Sequence, residues 1–282
     1  MIDLALNEPL REHVPVRSLR GDLRAVKIVW QRELMRVARD KPRLVTALLQ
    51  PLLYLFVLGT GMATLTGGAA GELRVFLFPG VMVMAVLFTS FFSAGSLVWD
   101  REFGFMREML VAPVRRGAIL LGKCLGGATA GAFQGIVVLV AGALAGLPCT
   151  PGLALVVIGE LVVAAFGVTA LGLVVAVRLR AIQSFMTVVQ LLVMPLFFLS
   201  GALYPLGALP PWLALLTRLD PLTYAVDPLR RAILEAAGAP STAVAAGVTW
   251  GGWMVPPALE VGLVAVFGVV ALALATRLFA RD

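Results

Sequence analysis

The chain has 282 residues, of which 60% are hydrophobic and only 14% charged, and its net charge is +7. Soluble domains devote about a quarter of their residues to charge, so a mean hydropathy of +0.96 excludes an ordinary soluble domain, and long uncharged runs identify an all-α polytopic membrane protein. With one histidine and two cysteines, no His-based metal site and no Ser/His/Asp or Cys/His set can be assembled, so the residues offer neither a catalytic centre nor a metal site.

Residues 1–43 are expected to form a cytoplasmic N-terminal segment. It is charged and lacks the apolar core of a cleaved signal peptide, and 1–20 read as polar, irregular and mobile. From Asp22 to Asp40, Leu23, Val26, Trp30, Leu34 and Val37 recur at helical spacing while Arg24, Arg32, Arg36 and Arg39 project elsewhere. That pattern predicts an amphipathic helix lying in the membrane interface against anionic headgroups. Pro42 breaks it before the first apolar run.

Six transmembrane helices are expected within 44–277, at about 44–63, 76–98, 118–145, 152–177, 183–203 and 257–277. Basic residues alternate between the two sides. With the N-terminus inside, nineteen of the 23 Lys and Arg fall in cytoplasmic segments, and only Arg74, Arg218, Arg230 and Arg231 fall outside. The positive-inside rule then puts both termini in the cytoplasm, with 278–282 as a tail, and the basic charge reads as orientation in the inner (plasma) membrane rather than nucleic-acid binding. Cys124 and Cys149 flank one span and lie too far apart for a disulfide.

Between the second and third spans, 99–117 is a charged island in which seven of nineteen residues are Asp, Glu or Arg. Read as a helix from Asp100, it puts Phe103, Met106 and Leu110 on one arc and Arg101, Gly104, Arg107 and Glu108 on the opposite one. Pro113 ends it. The residues alone leave two readings open: a solvated cytoplasmic loop, or a short helix on the membrane face whose polar side docks into a partner protein.

Gly117 to Cys124 approaches the phosphate-loop pattern G-x-x-x-x-G-K-[ST], but Cys124 lacks the hydroxyl that would hold magnesium, and a membrane span follows where a soluble helix is needed. Lys123 is expected to snorkel to the cytoplasmic interface. The third span carries Gly127, Gly131, Gly135, Gly142 and Gly146, a smooth face for close helix approach. Glu160, Gln134 and Gln190 are the deep polar side chains, for which a helix–helix hydrogen bond and a place on a substrate path are both open. Glu260, near the outer interface, is expected to be hydrated.

Residues 204–256 form the extracytoplasmic segment. An apolar stretch from Pro210-Pro211-Trp212 to Leu219 is broken at Asp220-Pro221, and a helical stretch runs from Thr223 to Glu235. Each is too short to span, leaving two helices dipping into the outer leaflet or a small outer cap. Residues 236–256 read as a linker.

The run D-R-E-F-G-F-M-R-E-M-L-V-A-P-V-R-R at 100–116, F-F-L-S-G-A-L-Y-P-L-G-A-L-P-P-W at 197–212 and D-P-L-T-Y-A-V-D-P-L-R at 220–230 resemble the signatures of ABC-2 type permeases, the membrane subunits of ABC exporters of drugs and lipooligosaccharides. Asp220 stands where many members carry Asn. The resemblance implies a coupling helix between spans two and three, re-entrant outer helices between spans five and six, and docking of Asp100, Arg101, Glu102, Gly104, Arg107 and Glu108 into a separate ABC ATPase subunit. It also implies a second permease subunit, as homodimer or heterodimer, and an amphipathic or lipid-linked cargo moved outward among membrane lipids. ATP and Mg would belong to the ATPase partner, leaving this chain without a cofactor or an ATPase of its own. The alternative, a secondary transporter driven by an ion gradient, fits poorly, because that class usually has inverted repeats and broken helices carrying midplane carboxylates.

Overall fold

The computed structural model describes residues 19–58, 70–111, 114–147, 149–238 and 247–281. The expectation of a mobile N-terminus falls almost wholly on 1–18, outside the described residues.

Helix α1 (Leu19–Arg39) is followed by a single non-helical residue, Asp40, and by α2 (Lys41–Leu53). Pro51 has no N–H to give to the carbonyl one turn back, and α2 then widens into a π turn over Tyr54–Leu58. Next come α3 (Ala70–Ala94) and α4 (Ser96–Glu102), which continue one another as an apolar rod over Leu73–Glu102, then α5 (Phe105–Val111). Helices α6 (Arg116–Leu144), α7 (Pro151–Arg178) and α8 (Ile182–Leu199) follow. Thr150 caps α7 by accepting the Leu153 N–H at 3.3 Å, and Pro151 occupies the first turn, where no amide is needed. Short helices α9 (Pro211–Leu219) and α10 (Thr223–Ala236) precede the last helix, α11 (Pro257–Arg281).

Among the described residues, five helices are long and apolar enough to cross a membrane: Leu73–Glu102, Arg116–Leu144, Pro151–Arg178, Ile182–Leu199 and Pro257–Arg281. The first of the six expected spans, 44–63, appears as the shorter apolar helix Leu44–Val57, and 59–63 lie outside the described residues.

Three sequence expectations are corrected. The charged island is not one helix from Asp100: it breaks after Glu102, where Gly104 takes φ +83°, and restarts at Phe105. A left-handed residue cannot continue a right-handed helix, so the arc drawn through Phe103, Met106 and Leu110 is interrupted. The stretch read as a linker before α11 contains a two-stranded hairpin, β1 (Thr249–Trp250) and β2 (Trp253–Met254), with Gly251 and Gly252 both at positive φ in the turn. Helix α1 does more than lie on an interface. It packs along α6, burying Val29 and Glu33, while Leu19, Leu23, Ile28 and Met35 are exposed.

The core is α3, α6 and α7 packed on one another, with α11 laid against α7. The glycine face of α6 allows this closeness. A Cβ added at Gly127 would fall 2.5 Å from Thr169 Cγ2, and one at Gly131 would fall 2.2 Å from Ser90 Oγ. Lipid is as apolar as the helix surfaces, so this contact is held by van der Waals packing rather than by expulsion of water. A second face of α6 admits α1, since a Cβ at Gly126 would lie 2.5 Å from Glu33 Cβ.

Candidate functional site

Helix α4 ends the apolar rod and carries the first charges of the island. Asp100 is 2% exposed. Its Oδ2 accepts from Lys123 Nζ at 2.5 Å and its Oδ1 pairs with Arg32. Lys123, also buried, donates to Glu33 Oε1 at 2.8 Å and to Ser96 Oγ at 3.0 Å. One ammonium thus joins α1, α4 and α6. Lys123 does not snorkel: the glycine face of α6 lets α1 lie over it, and Glu33 and Asp100 supply the hydrogen bonds that water would otherwise give.

The next two residues tie the same helix to α7 and α8. Arg101 donates to the carbonyls of Val177 and Leu179 at 2.9 and 3.1 Å, at the C-terminus of α7, where carbonyls lack intrahelical partners and a cation is favoured. Glu102 accepts the Ile182 N–H at 2.8 Å, at the positive N-terminal end of α8. Around Gly104 the character changes. Phe103 and Phe105 are 58% and 53% exposed, Glu108 is exposed, and Met106 anchors α5 at 5% exposure. Met109 packs against the core and lies 3.4 Å from Arg32 Nη1.

The six candidate coupling residues therefore divide. Asp100, Arg101 and Glu102 bond to the protein's own helices, while Gly104 forms the turn and Glu108 is exposed on α5; the side chain of Arg107 is outside the described residues. Glu33, Arg32 and Lys123 were not singled out as members of one site. The available signal was a lysine inside the glycine-rich third span and an acidic residue between two arginines on α1, but only the packing joins them.

The three candidate path residues do not converge on a common contact. Gln134 is buried and donates to the Leu44 carbonyl at 3.2 Å, binding α6 to α2. Gln190 is exposed on α8. Glu160 is partly buried with Oε2 unpartnered, within electrostatic reach of Glu260. The larger cavity lies elsewhere: a cleft of about 630 Å³ among α1, α2, α3, α4 and α8, with Phe88, Phe92, Trp99 and Met186 in its wall and Glu33 and Arg36 at its polar end.

At the opposite end of the bundle, α10 and α11 enclose a second ionic cluster. Arg231 pairs with Asp227 on the same helix face, donates to Glu260 Oε1 at 3.2 Å and to the Val255 carbonyl at 2.8 Å. Asp227 also accepts the Val248 N–H at 3.0 Å. Glu260 is fully buried rather than hydrated as expected, because α10 and the chain before α11 fold over it. Arg230 donates to the Gly201 and Ala202 carbonyls at 2.6 and 3.1 Å, and its guanidinium lies 4.3 Å from the Phe76 ring centroid. Asp220, between α9 and α10, accepts the Leu222 N–H at 2.9 Å, and burial pushes its carboxyl up to about 7 against that hydrogen bond.

The profile described as ABC-2 type transporter matches residues 24–234, from α1 into α10. The chain is 29% identical to the putative transport permease ycf38 of Cyanophora paradoxa, over 72% of each chain. It is also 29% identical to the inner membrane transport permease YadH of Escherichia coli K12, over 74% of this chain and 83% of that one. Nodulation protein J of Rhizobium leguminosarum bv. trifolii is similar at 29% identity, over 73% and 80%. With one profile running from the ion-paired α1 into α10, the chain belongs to the ABC-2 type transporter family, whose members are membrane permeases.

Proposed function

We propose that the chain is the permease subunit of an ABC exporter, moving an amphipathic or lipid-linked compound outward with ATP hydrolysed on a separate subunit. Two permease subunits, identical or related, would enclose one path, and two ATPase subunits would bind at the α1 end. In this reading 44–63 completes a sixth span of the 44–277 transmembrane unit, both termini are cytoplasmic, α9 and α10 are outer re-entrant helices, and 204–256 faces the far side. The excess of Lys and Arg in 1–43 and 99–123 supports that orientation in the plasma membrane.

The observation that carries the proposal is the division of the island at Gly104. Before it, Asp100, Arg101 and Glu102 brace α4 against α1, α6, α7 and α8. Phe103 lies exposed just before the glycine, and after it α5 presents Phe105 and Glu108 outward. A push received on the protruding turn would therefore reach five helices through rigid contacts, which is what a lever between an ATPase and a bundle needs. The role of Asp100, Arg101 and Glu102 is then transmission, and docking falls to Phe103, Phe105, Glu108 and the neighbouring Gly104 and Arg107.

The test is charge reversal at the exposed position. Glu108→Arg is expected to fold as the parent does, within about 0.5 kcal/mol, and to lose co-purification with the ATPase or the stimulation of hydrolysis by cargo in reconstituted vesicles. Full assembly and full coupling in this variant would reduce α5 to a solvated turn.

A further inference from the structure

The cleft among α1, α2, α3, α4 and α8 is not lined by Glu160, Gln134 or Gln190, and its volume of about 630 Å³ falls within the size of ligand sites, about 300–1,000 Å³. We propose that it binds an amphipathic molecule through one anionic headgroup, a carboxylate or phosphate, with Arg36 as the counter-charge, the ligand being the cargo of the exporter proposed above.

The charges at the polar end select the headgroup. Glu33 is held by Lys123 through Oε1, and both oxygens of Asp100 are taken, one by Lys123 and one by Arg32. Arg36 is left over. Its Nη1 is buried without a hydrogen-bond partner, 3.8 Å from Glu33 Oε2 and 4.0 Å from Asp100 Oδ1. Three cations, Arg32, Arg36 and Lys123, thus surround two buried carboxylates, Glu33 and Asp100, and a third carboxylate, Asp40, lies at the exposed rim of the cleft. A guanidinium matches a carboxylate or phosphate with two parallel donors. A cationic headgroup would be repelled by Arg36, and a neutral one would leave Nη1 without a charged acceptor at hydrogen-bond distance.

The wall supplies the other half of the specificity. Phe88, Phe92, Trp99 and Met186 offer aromatic and thioether surface to a chain or ring system, and methionine adapts to irregular shapes. Thr89 faces the same cleft with a buried Oγ1 that has no partner, placing one hydroxyl where the polar and apolar parts of the ligand would meet.

The experiment is a fluorescence titration of the full-length permease, purified in an uncharged detergent, with four probes sharing one dansyl-labelled eleven-carbon chain: carboxylate, phosphate monoester, alcohol and quaternary amine. The carboxylate, the phosphate ester or both are expected to bind about tenfold or more tightly than the alcohol and the amine, the size of one charge-assisted contact; which of the two binds identifies the source of the anion. Arg36→Gln should abolish that preference and Arg36→Lys should keep part of it. Because Arg36 borders the ion-pair network, Thr89→Val gives an independent reading and should weaken the anionic probe several-fold. Ala47→Trp, which fills the cleft, should weaken all four probes. Equal binding of alcohol and acid, an Arg36→Gln variant with unchanged preference, or an Ala47→Trp variant that binds as the parent does would each overturn the proposal. Arg36-dependent binding without ATP-driven movement of the probe in vesicles would remove the exporter assignment and leave the site standing.

Discussion

Two buried ionic clusters among the described residues, one at each end of the bundle, are built differently. At the α10 end Arg231 meets Asp227 four residues away on its own helix, then Glu260 and the backbone of the segment leading into α11. Every side chain there is nearly inaccessible. At the α1 end Lys123 and Asp100 draw on three separate helices, with Arg32 and Arg36 partly exposed around them. The first arrangement closes a cap over the end of the last helix. The second connects helices and sits directly behind the Gly104 turn, where the proposed lever would need it. Ionic contacts in a dry interior are costly to form and more costly to break on one side, and here the same cost serves closure at one end and connection at the other.

The contrast can be broken most forcefully at Arg231. Arg231→Met leaves Asp227 and Glu260 buried together without their cation, and the expected loss is about 3–5 kcal/mol, read as a fall in thermal stability and in the monodisperse fraction in detergent. At the α1 end Lys123→Met should cost less, about 1.5–3 kcal/mol, because Arg32 still pairs with Asp100 and Arg36 stands near Glu33. Its larger effect is expected on coupling, with ATPase binding retained and cargo-stimulated hydrolysis reduced. A double variant, Lys123→Met with Glu33→Met, should recover part of the stability and none of the coupling. Equal stability losses for Arg231→Met and Lys123→Met, with coupling intact in the latter, would erase the distinction between the two ends.

The smallest effect is expected at Asp220, a buried carboxyl near the α10 end with no ion pair among the described residues. Its folded value of about 7 lies above the ordinary 3.8, so the native state binds the extra proton between those two values. Stability from this group is then fully present below the ordinary value and lost as pH rises through 7. The parent should lose a few degrees of melting temperature between pH 5 and 8, and Asp220→Asn, which keeps an acceptor for the Leu222 N–H, should flatten that part of the profile. An identical slope in both proteins would show that Asp220 is not the titrating group.

Much of the bundle was legible from residues because lipid imposes a simple rule: a run must be long, apolar and helical to cross. The limits of α6, α7 and α8 follow from that rule together with Thr150-Pro151 and Arg178. The glycine spacing of α6 foretold close packing, and Ser90, Ser93 and Thr169 are the groups it admits. Helices α9 and α10 were bounded by Pro211 and by Asp220-Pro221, where the backbone itself leaves little choice. The hairpin before α11 escaped notice because its strands are two residues long, too short for any alternation to register.

The sequence by itself determined membrane class, helix lengths and the place where the charged island lies, since each depends on neighbours a few residues apart. Tertiary structure alone decided which of those charges are exposed and which face the protein. Asp100, Arg101 and Glu102 are as polar as Glu108, yet they end on Lys123, on the carbonyls closing α7 and on the first amide of α8. The reason is reach. A helix face records the period of its own chain, whereas an ion pair between residues 33, 100 and 123 exists only once α1 has crossed the glycines of α6.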